Sequence, residues 1–468
     1  MPDEGPLLSR GRERARQLHD TISDRLEAVD RRRRLASTTR TRFLMPPTVA
    51  SSTFQIISQL AGLPAVHRAF QWFHLQEMQL REWHRQVASI PAPPFGEAAR
   101  ARWVAEQFAT LGLENVGIDE CGNALGWMRG AANAQTGQEP GASRPCTLFS
   151  AHLDTVFPAE AIGHPMQEGS ILRIPGASDN CAGITALLGI AAAMRAAGLR
   201  PERDILFACN VGEEGEGNLR GMRHIFSKSQ FAARIHSAVI LDGVGTDTIV
   251  TQGLGSKRFR ITISGPGGHS WTDAGVPNPI LVLANVLTAV GRIQLPGSPR
   301  TTWNVGHIEG GTSINSIPQR VEARIDTRST DTVPLLQLEE HIHDAVVIAV
   351  ENANRAAGDV PSGNHGSDPI QFEIATIGER PAAALREDAR ILSTLRAVDR
   401  HLQIRSHVST ASTDANIPLS LGIEAVSLGS GGSGGGVHTL EEWFDAAGRD
   451  LALRRILLLL LALAQPEV

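Results

Sequence analysis

Residues 182–197 read AGITALLGIAAAMRAA, apolar on nearly every side. A helix with no polar face has to be buried all round, so it needs further layers packed against it. Nearby runs can supply them. Residues 146–151 (CTLFSA), 204–211 (DILFACNV) and 238–241 are short, apolar and end in polar or ionisable residues, as buried strands do. Strands alternating with helices predict an α/β domain with a mostly parallel sheet and helices on both faces.

The pattern before and after this block differs. Residues 1–45 read as a charged N-terminal extension, and Met45-Pro46-Pro47 signals a loop. A long helical stretch follows through Phe70, Trp72, Leu75, Met78 and Trp83. The loop Ile90-Pro91-Ala92-Pro93-Pro94-Phe95 breaks it, and a second helix is predicted over residues 97–111. After Gly253, residues 258–263 alternate like a half-buried strand. Helices are expected at 279–293 and 333–356, paired strands over 303–328 and a closing strand at 369–377. This is an inserted α+β unit, residues 254–380, dividing a larger domain built from 46–253 and 381–468.

Charge argues against nucleic acid as a partner, with 44 Lys+Arg against 49 Asp+Glu. Cys121, Cys146, Cys181 and Cys209 show no paired spacing, so neither a disulfide framework nor a thiolate metal site is expected, and a reducing cytoplasm fits. No apolar segment of signal-peptide type follows Arg31-Arg32-Arg33-Arg34. That basic run reads as a solvated face. The apolar run at 456–464 is well short of the roughly 18 residues a membrane span needs; a buried C-terminal helix is expected, with no membrane partner.

Five segments carry candidate chemistry, each near the end of an expected strand or at a turn, where α/β proteins build their sites. In Ala151-His152-Leu153-Asp154-Thr155, His152 can bind a metal while Asp154 orients the site; a surface turn is the alternative. Asp179, in Gly176-Ala177-Ser178-Asp179-Asn180, can cap the following helix or bridge two cations. Glu213 and Glu214 are adjacent carboxylates, so one can bind metal while the other accepts a proton from water; a solvated acidic turn is the bland reading. Asp242 ends an apolar run as a ligand or as a turn-forming Asp-Gly. His438 follows the glycine-rich loop 429–436, where the backbone can approach a ligand closely. Two imidazoles and three carboxylates suit Zn²⁺.

In this order the segments IPAPPFGE, AHLDT, GASDNCAG, GEEGEGNLRG, LDG, GPGGHS, NSIP, STDA and the final HT resemble those of the co-catalytic zinc metallopeptidases of family 20 (clan MH). These include aminoacylase, acetylornithine deacetylase, succinyl-diaminopimelate desuccinylase, glutamate carboxypeptidase and peptidase T. The resemblance runs from about residue 75 to the end. It implies a zinc-exopeptidase-like domain interrupted by a ferredoxin-like lid or dimerisation domain. It also implies two Zn²⁺ per subunit, with Mn²⁺ or Co²⁺ as alternatives. His152 and Asp242 would hold one metal, Glu214 and His438 the other, and Asp179 would bridge them. Glu213 would be general base and then general acid, and Asp154 would support His152. A cis peptide would follow Asp179.

His269, in Gly267-Gly268-His269-Ser270, resembles a histidine that crosses a homodimer to support the oxyanion; the chain has no tyrosine for that task. Asn315 and Arg328 resemble residues that hold the substrate. The implied reaction is hydrolysis of an amide or peptide bond in a small substrate. GEEGEGNLRGMRH leans toward the peptidase-T-like branch and so toward di- or tripeptides. An N-acyl amino acid is the rival substrate. A non-catalytic binding protein on this fold would be expected to lack a ligand or the base.

Overall fold

A computed structural model describes residues 47–131, 145–358 and 368–466. The charged extension and its basic run at 31–34 lie outside these residues. The described chain divides into two compact units, one made of residues 47–253 with 383–466, the other of 254–382.

The larger unit is built on a nine-stranded sheet. Its centre is parallel: Ile205–Asn210, Cys146–His152, Ile235–Leu241 and Glu424–Leu428 lie side by side. Its margins are antiparallel, through Ala124–Met128 on one side and Thr248–Gly253 on the other. Successive side chains on a strand point to opposite faces. Phe149, Phe207, Val239 and Val426 therefore pack against the helices Ala182–Ala197 and Arg449–Leu463. Their neighbours Leu148, Leu206, Ala238 and Ala425 pack against Met222, Ile225 and Ile417 on the opposite face. Helices thus cover both faces. Each fully buried Leu, Ile or Phe contributes about 1.5–3 kcal/mol.

The segment Ala177–Ala197 has the length and hydropathy of a membrane span, but most of it is buried inside this unit, as a helix without a polar face must be. The C-terminal helix is buried in the same way. The long helical stretch expected through Phe70, Trp72, Leu75, Met78 and Trp83 is part of three helices: Pro47–Ala61, Pro64–Leu75 and Glu77–Ala88. Pro64 opens the second, since proline fits the first turn of a helix and not its interior.

The smaller unit has the four-stranded antiparallel order Thr301–Gly310, Arg320–Ser329, Gly255–Ser264, Gln371–Arg380. The helices Pro279–Val290 and Thr332–Gly358 pack on it through Val282, Val286, Leu338 and Ile342. Its chain order, strand–helix–strand–strand–helix–strand, is the ferredoxin-like arrangement.

Candidate metal centre

Topology alone brings most of the candidate residues together. His152 ends its strand, Glu213 and Glu214 follow the strand that ends at Asn210, and Asp242 follows the strand that ends at Leu241. The three strands are parallel neighbours, so these residues collect at one end of the sheet.

Asp179 and His438 arrive by another route. Strand Ile171–Arg173 leads into the turn that carries Asp179. It pairs with Trp443–Asp445, which pairs in turn with Ser433–Gly435. His438 lies in the loop between those last two strands. A small second sheet therefore joins Asp179 and His438, 259 residues apart in sequence. The Asp179–Asn180 peptide is cis.

Asp179 has one oxygen toward each imidazole. His152 Nε2 lies 3.0 Å from Oδ1, and His438 Nε2 lies 3.1 Å from Oδ2. His438 Nε2 is also 3.0 Å from Glu214 Oε1, and His152 Nε2 is 3.8 Å from Asp242 Oδ1. Two triads result, His152–Asp179–Asp242 and Asp179–Glu214–His438, sharing the central carboxylate. A third group, His152–Glu213–Glu214, places Glu213 at the edge of the same cage. His152 is fully buried, whereas the His438 side chain is about half exposed, at 52%, so the cage opens to solvent on the His438 side.

The electrostatics fit a cation site. Asp154, Asp179, Glu213, Glu214 and Asp242 put five carboxylates against two imidazoles in a mostly buried space. Buried like charge is costly unless cations offset it. Burial raises the Glu214 carboxyl above its ordinary range, against the pull of His438. Burial would also raise Asp179, but hydrogen bonds from His152 and His438 outweigh it and hold that carboxyl well below the usual range. Burial disfavours a charged His152, yet Asp154, Asp179 and Asp242 together raise it well above an ordinary imidazole. Hydrogen bonds to Asp179 and Glu214 push His438 up to about 10. Both imidazoles thus stand among carboxylates that favour a positive charge, and the donor set suits Zn²⁺, Mn²⁺ or Co²⁺.

Asp154 acts mainly on the backbone. His152 Nδ1 donates to its carbonyl oxygen at 3.0 Å, while its carboxylate accepts the backbone N–H of Glu213 at 2.9 Å and of Glu214 at 2.7 Å. It therefore fixes both the ring and the paired acids. Arg220 braces the same loop from behind. Its Nη2 donates to both oxygens of buried Glu97 at 2.8 and 2.7 Å, joining the IPAPPFGE and GEEGEGNLRG segments. A Cβ at Gly212 (φ 66) would lie 2.0 Å from the same guanidinium, so glycine is required next to Glu213.

Sequence reasoning assigned no role to several buried groups. His84 Nε2 donates to Ala177 O at 2.7 Å, and burial pushes that ring down to about 3, so it is neutral. Asp414, inside the STDA segment, accepts from Asn210 Nδ2 at 2.6 Å, and burial raises it to about 7. The Glu442 carboxylate accepts three backbone N–H groups around Asp179. The only sequence signal for these was their place inside or beside the recognised segments.

In the smaller unit, His269 and Asn315 are neighbours. His269 pairs with Ser316 in a two-residue ladder, and Ser270 N donates to Asn315 O at 3.0 Å. His269 Nδ1 accepts from Trp271 N at 3.2 Å. A cleft beside this turn is lined by Gly268, Thr312, Gln319 and Arg320; it gathers none of the five ligand candidates. Arg328 is not brought there. It lies near the other end of strand Arg320–Ser329 and donates to Asp326 at 2.8 Å.

Comparison with known proteins agrees with this picture. The chain is 26% identical over 300 residues to a probable carboxypeptidase of Emericella nidulans, covering 59% of this chain and 67% of that protein. It is 25% identical to a probable carboxypeptidase of Aspergillus flavus, covering 50% and 60%. Among solved structures, a tripeptidase of Staphylococcus aureus superposes with a TM-score of 0.65 at 20% identity, over 83% of this chain and 98% of that one. An aminopeptidase of Bacillus cereus gives 0.64 at 17%, over 82% and 98%. A dipeptidase of Saccharomyces cerevisiae gives 0.62 at 13%, over 86% and 99%. The model of peptidase family M20/M25/M40 matches residues 148–464, well over half of the chain and every candidate ligand, and the chain belongs to that family.

Proposed function

We propose that this protein is a metal-dependent hydrolase that cleaves an amide bond in a di- or tripeptide, in the manner of the peptidase-T-like branch. The observation that carries the reading is the Asp179 carboxylate, with one oxygen on each of two imidazoles. That is the arrangement a bridging ligand between two divalent cations requires. We assign two Zn²⁺ per subunit, with Mn²⁺ or Co²⁺ as substitutes. His152 and Asp242 would hold one, and Glu214 and His438 the other.

Cations in this cage would polarise a scissile carbonyl and acidify water. Glu213 accepts the proton from the attacking water and returns it to the leaving amine. Asp154 keeps the acid aimed, through the backbone of its loop. His269, whose Nδ1 is taken by the Trp271 amide, donates to the oxyanion through Nε2. Asn315 grips the substrate beside it. Arg328, tied to Asp326, would hold substrate only by exchanging that partner.

We extend the reading to a homodimer formed through the smaller unit. Trp271, Ile308 and Ile314 are exposed there. Strand Thr301–Gly310 is an open sheet edge of its own unit, and exposed apolar side chains next to an unpaired edge are features of an interface.

The test is Glu213→Ala. Metal content measured by elemental analysis is expected to stay at the wild-type level, while turnover of a short-peptide panel falls by about 10²–10⁴. Wild-type rates in the metal-loaded variant would remove Glu213 as the base. The same panel set against N-acyl amino acids separates a peptidase from a deacylase.

A further inference from the structure

We infer that Glu442 is a positioning residue that fixes Asp179 and His438 in register with one another. The inference rests on reading the site as a metal centre. Glu442 lies four residues after His438, at the start of strand Trp443–Asp445. Its side chain is 1% exposed. Oε2 accepts the N–H of Gly176 at 2.8 Å; Oε1 accepts those of Ser178 at 2.7 Å and Asp179 at 2.9 Å. All three donors belong to the turn that carries Asp179.

The main chain reinforces the tie from both sides. Ile174 N donates to Glu442 O at 3.2 Å, and Ser178 Oγ donates to Trp443 O at 2.6 Å. His84 holds the same turn from the opposite side through Ala177 O. One carboxylate on the His438 loop therefore clamps the backbone of the Asp179 turn. Both Glu442 oxygens are engaged by these amides, and the residue is in none of the ligand groups, so it does not act as a ligand. It sets where the two ligands stand.

Among the described residues no other acid takes the amides of this turn. Its neighbour Glu441 is exposed, and the backbone groups that the Asp154 carboxylate clamps are those of Glu213 and Glu214. The cage is thus held by two separate carboxylate clamps, one for each route by which its residues arrive.

The test measures Co²⁺ binding to the metal-stripped full chain by chelator competition and visible absorption. Glu442→Gln places an amide NH₂ against the backbone donors. It is expected to weaken Co²⁺ binding about 10–100-fold and to alter the Co²⁺ absorption bands, whereas Glu441→Gln leaves both unchanged. Glu442→Asp, which keeps the charge, is expected to fall between. Should the glutamine variant not fold, the aspartate variant decides. In the wild-type protein, the Gly176, Ser178 and Asp179 amides are expected to exchange slowly with solvent even without metal. Unchanged affinity and spectrum in the variants, or fast exchange of these amides in the wild type, overturns the role of Glu442. A wild-type protein that binds no Co²⁺ overturns the metal-centre reading instead.

Discussion

The two units keep their chemistry in opposite ways. In the larger unit the ionisable residues lie at the ends of parallel strands or on the loops of a small second sheet, mostly buried, and their loops are held by other buried acids. In the smaller unit His269 and Asn315 sit on exposed turns joined by a two-residue ladder. A buried cage is complete within one fold. An exposed turn presents one donor, and the rest of a site has to come to it. Under the proposed function, the larger unit would supply the cation site and the smaller one a donor for a neighbouring subunit.

The largest expected effect tests the cage. Asp179→Ala removes the carboxylate that is hydrogen-bonded to both imidazoles. Metal affinity is expected to fall by more than the about 100-fold that outer partners account for, and turnover with it, as read by elemental analysis and assay of one preparation. Full metal content in this variant would break the comparison, since the cage would then not depend on its shared carboxylate.

The next test concerns the exposed donor. His269→Ala is expected to lower turnover by about 10²–10³, as loss of an oxyanion donor does, with metal content unchanged. If His269 serves a partner's site, the two inactive variants Glu213→Ala and His269→Ala should complement each other. One site in each mixed dimer would be intact, so freely exchanged subunits recover about a quarter of wild-type activity. No recovery after verified exchange would mean that His269 acts within its own chain or not at all.

The smallest effect sharpens the electrostatics. His438 is raised to about 10 when its partners are Asp179 and Glu214. Metal binding needs the neutral ring, so below that value a proton has to leave. Apparent Mn²⁺ affinity should rise about tenfold per pH unit for each proton released, between about pH 6 and pH 8. Direct measurement of acid released on adding Mn²⁺ to unbuffered protein checks this, and an affinity independent of pH would remove His438 from the ligand set.

Much of this was legible before any coordinates. The all-apolar helix at 182–197 and the runs at 146–151 and 204–211 required a layered core, because burial on every side leaves no other option. His152, Glu214 and Asp242 are visible because each ends or closely follows an apolar run, whereas Asp179 and His438 stand beside a buried helix and a glycine-rich loop. What stayed hidden acts through backbone atoms or through distance. The Asp154 carboxylate does stand beside the neighbouring ring, 3.7 Å from His152 Nδ1, but its oxygens also take amides 59 and 60 residues away. The Glu442 amides lie 263 to 266 residues away, and a backbone N–H leaves no mark on the identity of the residue that owns it. The break at Pro64 leaves little trace because apolar spacing continues across it.

The Asp154 clamp has a consequence for how such an enzyme can change. It holds peptide groups and ignores the side chains attached to them. A substitution at position 213 or 214 therefore alters the reactive acid while its mounting stays as it was. Lineages descending from such a chain could exchange the acid, and with it the reaction, without rebuilding the scaffold beneath.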